Sequence, residues 1–170
     1  MLNFLDAEDI ELNSADLVDT ENEFLDAEVE AAADSGAADH VLAATDAPMY
    51  QMEESPGSKI GQNFVGAGGH KMANRGQVRL NLRAQNGKKG RDIMIVFQVA
   101  KVTRPLMSVS NICDAGMSMR FTSTMAVIED ANGKEVCRFF IIGGLYVAIM
   151  KLRNPNYKAP NKPFARPVTK

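Results

Sequence analysis

Residues 30–41 read Glu-Ala-Ala-Ala-Asp-Ser-Gly-Ala-Ala-Asp-His-Val, and within them Asp34-Ser35-Gly36-Ala37 sets a carboxylate and a hydroxyl beside the two smallest residues. A carboxylate so placed can exchange protons with water, which is general acid–base chemistry. The same four residues also suit a plain turn, because Asp, Ser and Gly are the residues that turns select. His40 and His70 invite a Ser-His-Asp arrangement with Ser35, but no Gly-x-Ser-x-Gly elbow accompanies it. Both histidines are therefore expected to be solvated or at the edge of the core. The glycines in Phe-Val-Gly-Ala-Gly-Gly-His (64–70) are not followed by Gly-Lys-Ser/Thr, which argues against a nucleotide loop. Two cysteines and two histidines at unrelated spacings make no metal site, and no cofactor is expected. Cys113 and Cys137 are expected to be reduced and buried, and the methionines to fill the core.

The chain around these residues is ordinary in bulk. With 170 residues, 45% apolar and 24% charged, it is long enough for one domain with a sizeable core. No apolar run approaches the length of about 18 residues that a membrane span needs. The acidic start Met-Leu-Asn-Phe-Leu-Asp lacks the basic flank and apolar stretch of a signal peptide, so a cytoplasmic location is expected. The net charge of −2 hides an asymmetry: residues 1–33 carry eleven Asp or Glu and no Lys or Arg, whereas residues 151–170 carry six Lys or Arg and no acid. Such blocks are usually solvated tails. Only Tyr157 and Phe164 interleave the basic one, so nucleic acid is not an expected partner.

The elements that would hold the chemistry are mostly strands. Val78–Arg83 alternates apolar and polar, the period of a half-buried strand. Asn86-Gly87 then marks a hairpin turn, and 92–102 is a long β-branched and aromatic run. The stretch 120–130, the turn at Asn132-Gly133 and 136–142 read as strand, turn, strand, and 144–152 adds one more apolar run. Only 105–116 reads as helical, with Pro105 in its first turn, apolar residues at Leu106, Val109 and Ile112 or Cys113, and Gly116 as its stop. The expected architecture is a mostly antiparallel β domain with one short helix over residues 28–150. An acidic flexible segment (1–27) precedes it and a basic, proline-rich extended tail (151–170) follows.

Taken in order, these stretches resemble a retropepsin-like aspartic protease, most closely the type encoded in Copia-like retrotransposon polyproteins. The resemblance rests on Asp34-Ser35-Gly36-Ala37 followed by Ala38-Asp39-His40-Val41 and on the glycine-containing stretch 65–80. It continues through the apolar strand before Leu106-Met107-Ser108-Val109-Ser110-Asn111-Ile112-Cys113-Asp114-Ala115-Gly116 and ends at Gly143-Gly144-Leu145-Tyr146-Val147. Ile141-Ile142-Gly143-Gly144 is a competing match for the segment that leads into the helix, and Leu106-Met107-Ser108 is preferred because a helix can follow it.

The resemblance implies a closed antiparallel β-barrel of the acid-protease fold, active as a homodimer. Asp34 would be catalytic and paired with its symmetry mate, the two carboxylates sharing one proton while they activate a water. Ser35, Gly36 and Ala37 would support the loop. Ser35 would bond across the dimer, Gly36 would let its N–H reach the carboxylate where a Cβ would interfere, and Ala37 would pack beneath. Gly66, Ala67, Gly68 and Gly69 would form a flap over an extended peptide or polyprotein substrate, and the protein would work within a virus-like particle. Apart from the resemblance, charge sign alone suggests that the acidic segment is a pro-region lying on the basic surface of residues 71–104. Alanine is a poor strand former, so Ala31-Ala32-Ala33 are expected to anchor the catalytic loop weakly. That favours a second reading, a catalytically silent module of the same fold that binds peptides or dimerises.

Overall fold

Along Gly76–Ala84 the side chains of Val78, Leu80, Leu82 and Ala84 are buried, while Arg79 and Asn81 are exposed. That alternation is the period-2 pattern of a strand with one face on a core. The computed structural model describes residues 20–85 and 90–159. Eleven strands occur there: β1 (Phe24–Asp34), β2 (Val41–Leu42), β3 (Asn63–Val65), β4 (Lys71–Ala73), β5 (Gly76–Ala84), β6 (Arg91–Val99), β7 (Leu106–Ser108), β8 (Ser118–Phe121), β9 (Met125–Glu129), β10 (Glu135–Ile142) and β11 (Leu145–Arg153). Two short α-helices, α1 (Pro56–Lys59) and α2 (Val109–Asp114), and a 3-10 turn at Ala44–Asp46 accompany them. Among the described residues no helix is long and apolar enough to cross a membrane.

Nine strands form one sheet in the order β1-β7-β2-β6-β5-β11-β10-β9-β8, and β3 and β4 form a separate hairpin. β1 also pairs with β11, Ala32 opposite Val147 and Val29 opposite Met150. The ladder from β1 through β7, β2, β6, β5 and β11 therefore returns to β1. The buried core cluster includes Leu42, Leu80, Leu82, Phe97, Phe139, Met150 and Leu152, all fully buried. Each such side chain contributes about 1.5–3 kcal/mol relative to exposure. At the end of β1 away from Asp34, Arg153 bonds to Glu23 (2.7 Å) and Asp92 (3.0 Å), and the Arg83 and Arg153 guanidinium groups stand over the Phe24 ring.

Several expectations are met and several are corrected. The Asn132-Gly133 turn joins β9 to β10, with Asp130 Oδ1 accepting from the backbone N–H of both Asn132 and Lys134. Ile141-Ile142-Gly143-Gly144 is a hairpin tip, with Gly143 and Gly144 both at positive φ, a two-residue turn that matches strand twist. The helix expected over 105–116 is confined to Val109–Asp114. Leu106–Ser108 is a strand instead, because its backbone completes a ladder between β1 and β2. Gly116 does close the helix, its N–H donating to Cys113 O while Met117 N–H donates to Ile112 O.

The stretch 120–130 is two strands, broken where Thr122 Oγ1 accepts from the N–H of Thr124 and of Met125. The sheet is not wholly antiparallel, since β1–β7 and β2–β6 run parallel. Helix α1 was not anticipated, although Ser55 caps it and Pro56 opens it. Phe24–Ala27, placed by the sequence in the flexible segment, begin β1, and Lys151–Arg153, placed in the tail, end β11. The backbone beyond continues along the N-terminal side, with Asn154 N–H to Glu23 O and Lys158 N–H to Thr20 O. The Asn86-Gly87 turn, the pro-region over residues 1–19 and the tail from 160 lie outside the described residues. Cys137 is buried, and desolvation pushes its thiol up to about 12, whereas Cys113 is exposed rather than buried.

Candidate active-site cleft

Asp34 is the last residue of β1, paired with β7 just beyond Ala32, where the strand has a partner on both sides. Ala33 lies opposite Met107 and Asp34 opposite Ser108 in the parallel ladder with β7. Ala31 and Ala32, at 0% and 3% exposure, are fully buried between β7 and β11. The alanine run is therefore firmly anchored, contrary to the expectation from propensity. Every alanine of the run has a ladder partner, Ala32 on both edges, and tertiary pairing outweighs the local preference.

Beyond Asp34 the chain turns at once. The Gly36 N–H donates to Asp34 Oδ1 (2.8 Å), and Oδ2 has no partner among the described residues. A Cβ added at Gly36 would meet Asp34 Oδ1 at 3.4 Å, an ordinary contact, so within one chain the expected steric interference does not arise. Ser35 is exposed and does not line the cleft described below.

The loop is fixed from beneath by Ser108, which is wholly buried. Its hydroxyl donates to Ala37 O (2.7 Å) and accepts from Asn111 N–H (3.2 Å), so one side chain both ties down the loop and caps α2. Its backbone N–H donates to His40 Nδ1 (2.9 Å), and the imidazole packs against Phe97 with ring centroids 5.8 Å apart. His40 is thus a core-edge residue whose Nδ1 is committed as an acceptor, which leaves no Ser-His-Asp role for that nitrogen.

Burial pushes the His40 pKa below its ordinary 6.5, with Asp39 pulling more weakly upward. In the unfolded chain the ring takes up a proton at its ordinary pKa, before the folded protein does. The stability His40 provides is therefore complete above about pH 6.5 and declines as pH falls below that value, until the folded ring itself protonates. Urea midpoints should drop between about pH 8 and 5, and drop less in His40→Asn, whose Oδ1 can accept from Ser108 without titrating. An equal drop in both proteins would assign the acid sensitivity to other groups.

Facing the loop is the β3–β4 hairpin. Its tip closes through Gly66 N–H to His70 O and Gly69 N–H to Gly66 O, both 2.9 Å. The His70 ring lies over Gly66, where an added Cβ would come within 2.6 Å of Cε1, so a larger residue there would displace this exposed ring. The root of the hairpin is held by buried Asn74, which donates to Gln62 Oε1 and Gln98 Oε1 and accepts from Gly76 N–H, each at 2.9 Å.

Between loop and hairpin lies a half-open cleft of about 650 Å³. Asp34, Gly36 and Ala37 line one side, and Gly66, Ala67 and Gly68 the other. Gly69 stands outside, at the turn with φ +87°. Phe64, Val65, Met72 and Leu106 give apolar walls, and Lys101 and Arg104 stand on the third side. Sequence reasoning missed Ser108, Asn74 and the Lys101–Arg104 side. Of these only Ser108 carried a local signal, a hydroxyl three residues ahead of Asn111 at a helix start. Comparison with protein-family models, curated proteins and solved structures gives no match to this chain.

Proposed function

We propose that the chain is an aspartic peptidase that acts as a homodimer on extended peptides. Within that class it is best read as a retropepsin-like protease of a Copia-like retrotransposon polyprotein. The observation that carries this reading is the single cleft shared by the Asp34 loop and the tip of the glycine hairpin. The returning ladder of six strands is further support, being what a closed barrel of that fold requires.

In the dimer two Asp34 carboxylates lie too close to ionise together, so the pair holds one proton. The ionised member takes a proton from a bound water, and the protonated member polarises the substrate carbonyl. Gly36 N–H anchors Oδ1 of each copy and leaves Oδ2 for this exchange. The hairpin closes over the peptide, which pairs by backbone hydrogen bonds as an added strand does.

Unstructured peptides should be cleaved at acidic pH, and cleavage should fall away as the pH rises and the shared proton is lost. The rate should rise faster than linearly with protein concentration, because two chains build each site. A linear rise from a monomer would overturn the mechanism. A folded dimer without turnover would favour the second role, a peptide-binding module.

A further inference from the structure

Lys101, Val102, Thr103 and Arg104 form the middle of the link from β6 to β7, and all four line the cleft. Both ends of the link are fixed. The Ala100 N–H donates to Leu42 O (3.0 Å), and Pro105 O accepts from Ala32 N–H (3.0 Å), two positions before Asp34. Between them the Val102 N–H donates back to Ala100 O (2.9 Å), which tightens the bend. The link is therefore tied to the strand that carries Asp34, and it presents its side chains beside the Asp34 loop.

Lys101 and Arg104 are exposed, and neither has an ion-pair or hydrogen-bond partner among the described residues. Elsewhere Arg83, Arg91, Arg120, Arg138 and Arg153 each pair with a carboxylate. The cleft has acids of its own, Asp34 and Asp39, and neither comes within ion-pair distance of the two cations. His70 stands on the hairpin side. Two unpaired positive charges beside the apolar walls of Phe64, Val65, Met72 and Leu106 give a cleft of mixed character. An extended peptide lying in it meets both. A phosphate chain would meet the charges and leave the apolar walls uncovered, with little besides Phe64 on which a base could stack.

Resting on the peptidase reading, we infer that Lys101 and Arg104 select the substrate, so that the cleft takes peptides carrying Asp or Glu close to an apolar residue. At so open a site one ion pair changes affinity only a few-fold. Together the two cations favour an acidic peptide over its amide twin by about fivefold to tenfold at low salt.

The test uses two pools of unstructured decapeptides with the same apolar and small residues, one pool carrying a pair of Glu and the other a pair of Gln at the same positions. At about pH 5.5 the full chain should cleave the Glu pool about fivefold to tenfold faster in kcat/KM. The preference should fade in about 1 M salt, and again below about pH 4.3, where the peptide carboxyls take up protons. Lys101→Glu combined with Arg104→Glu should abolish it or reverse it toward a pool carrying Lys. Lys134→Glu, in the exposed β9–β10 turn, should keep it.

Equal cleavage of both pools, or a preference that survives the double reversal, would overturn the inference and leave the peptidase standing. If nothing is cleaved, binding decides, with the labelled pools titrated against the full chain at about pH 7. Binding that favours Glu and loses that preference in the double reversal would sustain the cationic side and sink the peptidase. No binding of either pool, or tighter binding of a uridine oligonucleotide than of the Glu pool, would overturn the inference.

Discussion

Asp34→Asn should leave a folded protein that no longer cleaves peptides. Asparagine keeps an oxygen where Oδ1 accepts from Gly36 N–H, so the loop retains its internal hydrogen bond. Asp34 is only half-buried, and the change should move the urea midpoint little. Chemically, the variant cannot ionise, so neither copy can take a proton from water. Proton transfer of this kind is worth about 10²–10⁴-fold in rate, and kcat/KM should fall at least that far. Mixing gives a second readout. If chains pair at random, equal parts of wild type and variant retain about one quarter of the activity, because only wild-type pairs hold a working dyad. Retention of one half would mean that each chain works alone. Turnover by the variant equal to the wild type would remove Asp34 from the chemistry.

The second large effect is expected at Ser108→Ala, a residue that touches neither the cleft nor a substrate. The substitution removes the cap on α2, a loss of about 1 kcal/mol. It also deprives the half-buried Ala37 O of its donor, at up to about 1–3 kcal/mol if no water replaces it. Together the loss of stability should reach up to about 2–4 kcal/mol, measured from urea midpoints at unchanged m. The effect on catalysis is separable. At temperatures where the variant remains folded, the freed Asp34–Ala37 loop should lower kcat more than it raises KM. Ser108→Thr keeps the hydroxyl and should restore part of both. A midpoint shift below about 0.5 kcal/mol would show that Ala37 O finds water and that the clamp has no structural weight.

How far the sequence goes is clear from particular residues. The alternation in β5 and the Asn132-Gly133 turn are local features, and they are legible because one face of a strand is wet and a tight turn admits few residues. The Asp34 loop and the glycine hairpin are each visible as motifs, but their meeting across one cleft depends on pairings spread along the chain. Leu106, Val109 and Ile112 follow helical spacing, yet Leu106 lies in a strand because β1 and β2 need a partner between them. The weak propensity of Ala31–Ala33 misleads for the same reason. The bond from Ser108 N–H to His40 Nδ1 spans 68 positions, and no local pattern announces it.

The pairing of β1 with β11 also orders events in time. During synthesis the strand that bears Asp34 emerges before its two neighbours, β7 and β11, which follow more than 70 and more than 110 residues later. Until then β1 has open edges and Asp34 has no fixed position. Ladders of such long sequence separation close late and slowly, since the chain must surrender loop entropy before any contact rewards it. A nascent chain therefore carries the motif well before it carries the site. If the chain is the peptidase proposed, its cutting waits until Leu145–Arg153 has been made and has zipped onto the strand that bears the carboxylate.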